Sequence, residues 1–563
     1  MTATRSAAST TATIDHPDVI IVGSGCGGGT AAHALTARGF RVVVFEKGPK
    51  KAAEDFLPLD ELHFLTRKAM IPTADTAPQI YAGVDGKQRI AVERWWEAEM
   101  VGGSTMIWDA NFPRYTREDL EVLTYLKDVP KDASMVNWPW TYDQFQPYFE
   151  QAEHLWGVSG KTRQHDHHAR QEPTRDGYEF AMPPLRPHAS TEFLMQAFGK
   201  AGMKPYLGAR AINSQTFDGR PACSFCGYNQ FFGCAVNSRA SSVNTVLARA
   251  LATGRCDLRP GHCVTRLVHD NGRVRGVMYK TSHDGPEQFL GASTVFVSVQ
   301  TIQSARMFLL SEIPDPNKLI GRYLTYHTKG NAELVFKTKP VWDAGAAYQP
   351  RTAIGSLQLW DLYVIDDPIT PLTKGGKFSI YDPYTCTTPI RQIKGASLGK
   401  DRPNVWGTEL VDYLRELRSH GGVSFSFTGE AMSLYDNRVE LDDVVKDPWG
   451  LPVAKTYYRH HEYDRRLAEY ALDRVIEVMT DAGGELRRYE TQAEANPGYG
   501  HVHGTLRAGT DPGASVLDAD CQSHTVKGLY VLDASFMPTA GAANPSLTLI
   551  ANALRVCERV SLS

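Results

Sequence analysis

The chain has 563 residues, 42% of them hydrophobic and 22% charged, and a formal net charge of -3. That length exceeds one ordinary hydrophobic core and excludes a small binding module, while the near-neutral balance offers no global attraction for nucleic acid or an acidic membrane surface. With 48 glycines and 32 prolines the sequence is turn-rich rather than of low complexity.

In chain order, Met1 to His16 is rich in Ala, Thr and Ser, holds no apolar run of the signal-peptide kind and reads as a loose tail. No later stretch approaches the roughly 18 consecutive apolar residues of a membrane span, so a cytoplasmic protein is expected. Nine cysteines, an odd number, argue for thiols rather than a disulfide framework. Residues 18 to 46 then read as a buried strand, a glycine turn, a helix of small residues and a second buried strand, one complete βαβ unit. Gly23, Gly25 and Gly28 hold the G-x-G-x-x-G positions, which serve a tight turn, close backbone approach to a pyrophosphate and close helix–strand packing. Glu46 closes the second strand where an acid that binds a ribose hydroxyl belongs. Turns and helix packing also use glycine, but both strands and the acid select the nucleotide reading. The motif alone does not choose FAD over NAD; its place at the N-terminus leans toward FAD as a prosthetic group.

Further along come Val101-Gly-Gly-Ser-Thr-Met-Ile-Trp108, Asn111-Phe-Pro-Arg114, Asn137-Trp-Pro-Trp-Thr-Tyr142 and Gly157-Val-Ser-Gly160. Strands are expected over 254–291 around an Asn271-Gly272 turn, a strand and helix over 293–311, a strand over 437–442, and a helix over 461–483. The tail reads His501-Val-His-Gly-Thr505, Leu529-Tyr-Val-Leu-Asp-Ala-Ser-Phe-Met-Pro538 and Gly541-Ala-Ala-Asn-Pro-Ser-Leu-Thr548. These ordered motifs resemble the glucose-methanol-choline (GMC) oxidoreductases, and most closely the pyranose-oxidase-like and gluconate-dehydrogenase-like branch that uses a His and Asn pair.

The resemblance implies an α/β fold with two discontinuous lobes. A Rossmann-like FAD-binding domain would take 17–135, 205–335 and 500–563. A substrate-binding domain of α+β type, with a large and mostly antiparallel sheet, would take 136–204 and 336–499. It implies oxidation of an alcohol, with His501 as the base and Asn544 orienting the hydroxyl and stabilising the alkoxide. Gly103, Ser104, Trp108, Val264, Asp533, Ala534, Asn544 and Pro545 fall on cofactor-binding positions. Structural uses remain beside these: Asn544-Pro545 as a turn or cap, and Val264 as a core valine. His503 stands where relatives have glycine and either contacts substrate or points into its loop. Trp360, with Trp342, Trp406 and Tyr435, is an aromatic that either stacks on a sugar or packs in the core.

Ile107 occupies the place where some relatives carry a flavin-linked histidine, so non-covalent FAD is expected. Cys223, Cys226 and Cys234 lack the fourth ligand of common zinc and ferredoxin patterns and read as thiols. His165, Asp166, His167 and His168 read as a solvated loop, and no metal is assigned. The expected substrate is a sugar, glycoside or aminoglycoside-like alcohol, oxidised to a ketone or aldehyde, with oxygen or another electron acceptor as the second partner. A dehydrogenase serving a protein or quinone, an FAD-containing lyase that does no redox chemistry, and a scaffold without catalysis stand as alternatives.

Overall fold

The computed structural model describes residues 13–56, 71–83, 86, 90–91, 97–126, 129–164, 174–187, 190–226, 232–337, 357–365, 372–381, 406–419, 421–491 and 500–561. Strand β1 (Val19–Val22), helix α1 (Cys26–Ala37) and strand β2 (Val42–Glu46) form the expected βαβ unit. Both strands are unbroken runs of buried Val, Ile and Phe, the pattern of a sheet covered on both faces. Each such side chain contributes about 1.5 to 3 kcal/mol on full burial. Helix α2 (Tyr142–Trp156) starts at a Thr141/Gln144 capping box and stops at left-handed Gly157.

Strand β3 (Tyr206–Leu207) and helix α3 (Val246–Ala252) precede β4 (Cys256–Pro260). A meander follows, of β5 (Cys263–Asp270), β6 (Arg273–Lys280) and β7 (Gln288–Gly291). Its first turn places Asn271 and Gly272 at φ 50° and 69°, the left-handed pair that a two-residue hairpin requires. Next come β8 (Val295–Val297) and α4 (Thr301–Leu310), then β9 (Thr325–Tyr326), β10 (Thr328–Phe336), β11 (Leu357–Leu359), β12 (Gly376–Tyr381) and β13 (Gly421–Gly429). The chain continues through β14 (Arg438–Lys446), β15 (Pro452–Tyr457), α5 (Glu462–Asp481) and β16 (Glu485–Thr491). It ends with β17 (Val502–His503), β18 (Leu529–Val531) and α6 (Ser546–Arg559).

Two sheets organise the molecule. The first is parallel, in the order β18-β8-β1-β2-β4, so strands from the start, middle and end of the chain meet in one core. The second is antiparallel, in the order β16-β10-β13-β12-β11-β3, and one of its faces packs on α5 through Ala332, Leu334, Phe425, Phe427, Leu467 and Leu472. The expected α/β class, with a large antiparallel sheet beside the parallel one, is therefore present.

The two sheets cut across the expected lobe segments. Within 136–204, α2 packs on α6 and sends Phe145, Phe149 and Trp156 into the core of the parallel sheet, because its apolar stripe faces that lobe. Conversely, β3 and all but the last residue of β10 fall inside the segments expected for the nucleotide lobe, yet both belong to the antiparallel sheet. Among the described residues no helix is long and apolar enough to cross a membrane.

Candidate active site

A cavity of about 350 Å³ runs from the glycine turn after β1 to the loop that carries His501. Its first wall is the turn itself. Gly23 has φ 98°, and a Cβ there would lie 2.2 Å from the carbonyl oxygen of Ser298. A Cβ at Gly28 would lie 1.9 Å from the carbonyl oxygen of Gly23, so this glycine lets α1 sit against the strand. A Cβ at Gly25 meets no protein atom within 4 Å, although this residue caps α1 and lines the cavity. The space is therefore kept free for a ligand, beside a helix N-terminus that carries no side-chain cap.

Glu46 projects from the end of β2 into the same cavity. Its Oε2 accepts from Ser24 Oγ at 2.6 Å and its Oε1 from the Gly48 amide at 2.9 Å. Burial pushes this carboxyl upward and the Ser24 bond opposes the shift, which leaves an acceptor positioned for ribose hydroxyls. Ser24 Oγ in turn accepts from the Gly102 amide, tying the turn to the 3-10 segment Gly103–Met106 on the cavity wall. Ser104, Ile107 and Trp108 line the cavity, and the Trp108 indole donates to the Ala240 carbonyl at 2.9 Å. Val264, with His262 and Cys263, closes the far end. Asp533 is buried, accepts from the Val299 amide and from the Ser304 and Ser535 hydroxyls, and stands with Ala534 on the wall. An uncapped helix N-terminus, an open glycine position and a buried acid at the strand end fit a dinucleotide.

At the other end, His501 and Asn544 come together as expected. Asn544 Nδ2 lies 3.2 Å from His501 Nε2, and Asn544 Oδ1 accepts from Asn111 Nδ2 at 2.9 Å, which turns the amide nitrogen toward the imidazole. Pro545 follows on the cavity wall at the start of α6. His501 adopts φ 63°, a left-handed conformation uncommon for a residue with a side chain, and Gln300 beside the cavity has φ 83°. Such strain costs of order 1 kcal/mol or more and persists where the surroundings over-determine it. His501 Nδ1 contacts His327 Nδ1 at 3.1 Å, and His327 Nε2 contacts the Ala540 carbonyl at 3.0 Å. Burial, with the nearby Lys329, holds His501 well below the usual histidine range and hence neutral.

Trp360 and His503, each read as either a substrate contact or a packed side chain, both lie off the cavity wall. Trp360 is fully buried, stacked on Tyr363 at 4.6 Å and packed near Tyr206, because β11 ends by turning it into the core. His503 is also fully buried. It is two residues from His501, on the short strand β17 that follows it, but its ring lies against His327 at 4.6 Å, with Nε2 3.4 Å from the Tyr115 hydroxyl, and not on the cavity wall. Trp406 and Tyr435 lie on the exterior. Trp342, His165, Asp166, His167 and His168 fall outside the described residues. No two of the eight described cysteines are joined in a disulfide, Cys223, Cys226 and Cys234 among them, and no group of three or more described His, Cys, Asp or Glu is arranged to hold a metal ion.

The sequence reasoning missed His327, Asn111, Lys329 and Gln300. His327 and Asn111 touch the His501–Asn544 pair only through tertiary contact. Lys329 carried one local signal, a lysine within a strand whose neighbours alternate with buried positions.

Comparison with known proteins agrees with this geometry. Profiles described as GMC oxidoreductase match residues 83–329 and 434–553, and a NAD(P)-binding Rossmann-like profile matches residues 21–51. The 2-methyl-1,2-propanediol dehydrogenase of Mycolicibacterium austroafricanum is 26% identical over 98% of this chain and 96% of its own length. The 6'''-hydroxyparomomycin C oxidase of Streptomyces lividus is 28% identical over 97% of this chain and 91% of its own. The crystal structure of pyridoxine 4-oxidase from Mesorbium loti superposes with a TM-score of 0.63 at 16% identity, covering 97% of this chain and 99% of that one. The glycine cradle, the two matching profiles and the full-length relatives together place this chain in the GMC oxidoreductase family, as an alcohol oxidoreductase whose cofactor is FAD.

Proposed function

We propose that the enzyme oxidises a hydroxyl of a sugar, glycoside or related polyol to a ketone or aldehyde, with His501 as the base. The observation that carries this reading is the single cavity joining the glycine turn to the His501–Asn544 pair. FAD, when bound, supplies the hydride acceptor. Gly25, Glu46, Gly103, Ser104, Val264, Asp533 and Pro545 would hold it without a covalent link, Ile107 offering no nucleophile. His501 Nε2 takes the hydroxyl proton, and Asn544 Nδ2 donates to the oxygen as charge develops there. Oxygen or another acceptor completes the cycle.

The second sheet supports this substrate class. Its face opposite α5 carries Lys329, Thr428, Lys377, Ser379 and Gln358 in register. Lys329 donates to Thr428 at 2.7 Å and Lys377 to Gln358 at 2.9 Å. Both lysines lower the His501 pKa, so this polar face lies on the His501 side. Hydroxyl-rich substrates match such a surface better than apolar alcohols do. Relatives are named for a diol and for paromamine; below about pH 7, where Lys329 is increasingly cationic, an ammonium-bearing ring next to the base is disfavoured and a neutral or anionic polyol is favoured.

The test is anaerobic flavin bleaching by methyl glucosides, gluconate, 2-methyl-1,2-propanediol and paromamine, followed by readmission of air. Faster bleaching by the neutral and anionic polyols supports the reading. Bleaching by paromamine alone would sink the charge argument, and no bleaching at all would sink the polyol assignment.

A further inference from the structure

We propose that His327 is a positioning residue that locks the tautomer of His501, leaving Nε2 unprotonated and its lone pair open to a substrate hydroxyl once the Asn544 N–H turns to the substrate oxygen. The proposal rests on the reading of His501 as the base. The Ala540 carbonyl oxygen can only accept, so the contact at 3.0 Å makes His327 Nε2 the donor. A neutral imidazole carries one N–H, which leaves His327 Nδ1 as an acceptor. His501 Nδ1, 3.1 Å away, must then donate to it, and His501 Nε2 is left without a proton. The last link agrees: Asn544, its oxygen committed to Asn111, offers an N–H to that same Nε2. The chain therefore runs Asn111 to Asn544 to His501 to His327 to Ala540, every donor meeting an acceptor. Burial keeps both rings in the neutral form on which this argument depends.

The fold holds the two rings opposite each other. Strands β9 and β17 pair antiparallel with Tyr326 opposite Val502, which brings His327, just after β9, to within 3.1 Å of His501, just before β17. The Ala540 carbonyl is fixed in turn, since it also accepts from the Tyr115 hydroxyl at 2.5 Å. Thr301 Oγ1 donates to the Val502 carbonyl and pins β17 to the start of α4. In the opposite tautomer, His501 Nε2–H would meet the Asn544 N–H head-on and could not receive a hydroxyl proton. When His501 does receive that proton, the His327 Nδ1 lone pair remains as acceptor for the Nδ1–H of the resulting imidazolium.

The experiment uses FAD-loaded wild type, His327→Leu and His327→Gln, the glutamine offering one acceptor and one donor in place of the two ring nitrogens. Histidine labelled with 15N reports the protonation of each ring nitrogen, and the His501 signals are assigned by their loss in His501→Asn. Wild type and His327→Gln should show a bare Nε2 and a protonated Nδ1 at His501, and His327→Leu should move proton density onto Nε2. Flavin reduction by methyl β-D-glucopyranoside should fall by about 10²- to 10⁴-fold in His327→Leu, by analogy with tautomer loss in other His-dependent sites, and recover at least partly in His327→Gln at equal flavin content. A protonated Nε2 in wild type, an unchanged tautomer in His327→Leu, or wild-type reduction by that variant would overturn the proposal. The expected NMR pattern with no reduction of wild type would support the tautomer lock while sinking the polyol reading.

Discussion

Replacing Asn544 with alanine separates the roles of the amide. In the structure its nitrogen is 3.2 Å from His501 Nε2, and its oxygen accepts from Asn111, a residue with only 5% of its surface exposed. Losing a donor aimed at a developing oxyanion costs about 2.7 to 4 kcal/mol, so the limiting rate of flavin reduction should fall by roughly 10²- to 10³-fold. Orphaning the buried Asn111 amide should cost a further 1 to 3 kcal/mol or so of stability. Asn111→Ala removes only the bond that orients Asn544 and should slow reduction by about 10-fold, the worth of one ordinary hydrogen bond. Anaerobic stopped-flow absorbance reads the rates, denaturant titration reads the stability, and bound flavin should stay stoichiometric in both variants. A fall of less than about 5-fold in Asn544→Ala would refute the alkoxide role, and a larger fall in Asn111→Ala than in Asn544→Ala would refute the orientation argument.

Gly25→Val should fold, since its side chain meets only the cavity, but should lose FAD; Gly23→Ala should lose stability as well, its Cβ 2.2 Å from a carbonyl oxygen. Thermal melts and flavin content separate the two. Burial brings the Lys329 pKa down to about 7, so below that pH it is increasingly cationic and opposes a proton on His501. Lys329→Met removes this opposition, raises the His501 pKa and moves the acidic limb of the rate–pH profile to higher pH; an unmoved limb would remove Lys329 from the site. Asp119 accepts from Lys374 at 2.9 Å, Tyr363 at 2.5 Å and the Ala542 amide at 3.2 Å, all fully buried. Asp119→Asn strands the lysine charge and should destabilise the protein by about 3 to 5 kcal/mol, measured by denaturant unfolding.

The parts of this account legible in the sequence are local ones. The strands flanking the glycine turn are continuous apolar runs of a kind that only a doubly covered sheet accommodates, and Asn271-Gly272 names its own turn. The pairing of β1 with β8, and of β8 with β18, joins segments more than 200 residues apart, and no local pattern specifies it. His501 and Asn544 were legible through family motifs, whereas His327 is set by the register of two short strands. Trp360 and His503 show the same limit from the other side: an aromatic or a histidine announces its chemistry, but the direction of one side chain depends on which face of a short strand the register leaves it. The boundary near residue 335 misplaced β10 because its alternation, Gly330, Ala332 and Leu334 buried against α5 with Lys329 and Asn331 opposite, describes a half-polar sheet and not a nucleotide-binding core.

The most direct test of the central claim is anaerobic flavin reduction in His501→Asn beside wild type, using the fastest polyol of the panel above. The account predicts full FAD content in both proteins and reduction at least about 10²-fold slower in the variant, the usual range for removal of a general base. Reduction of the variant at the wild-type rate would contradict His501 as the base.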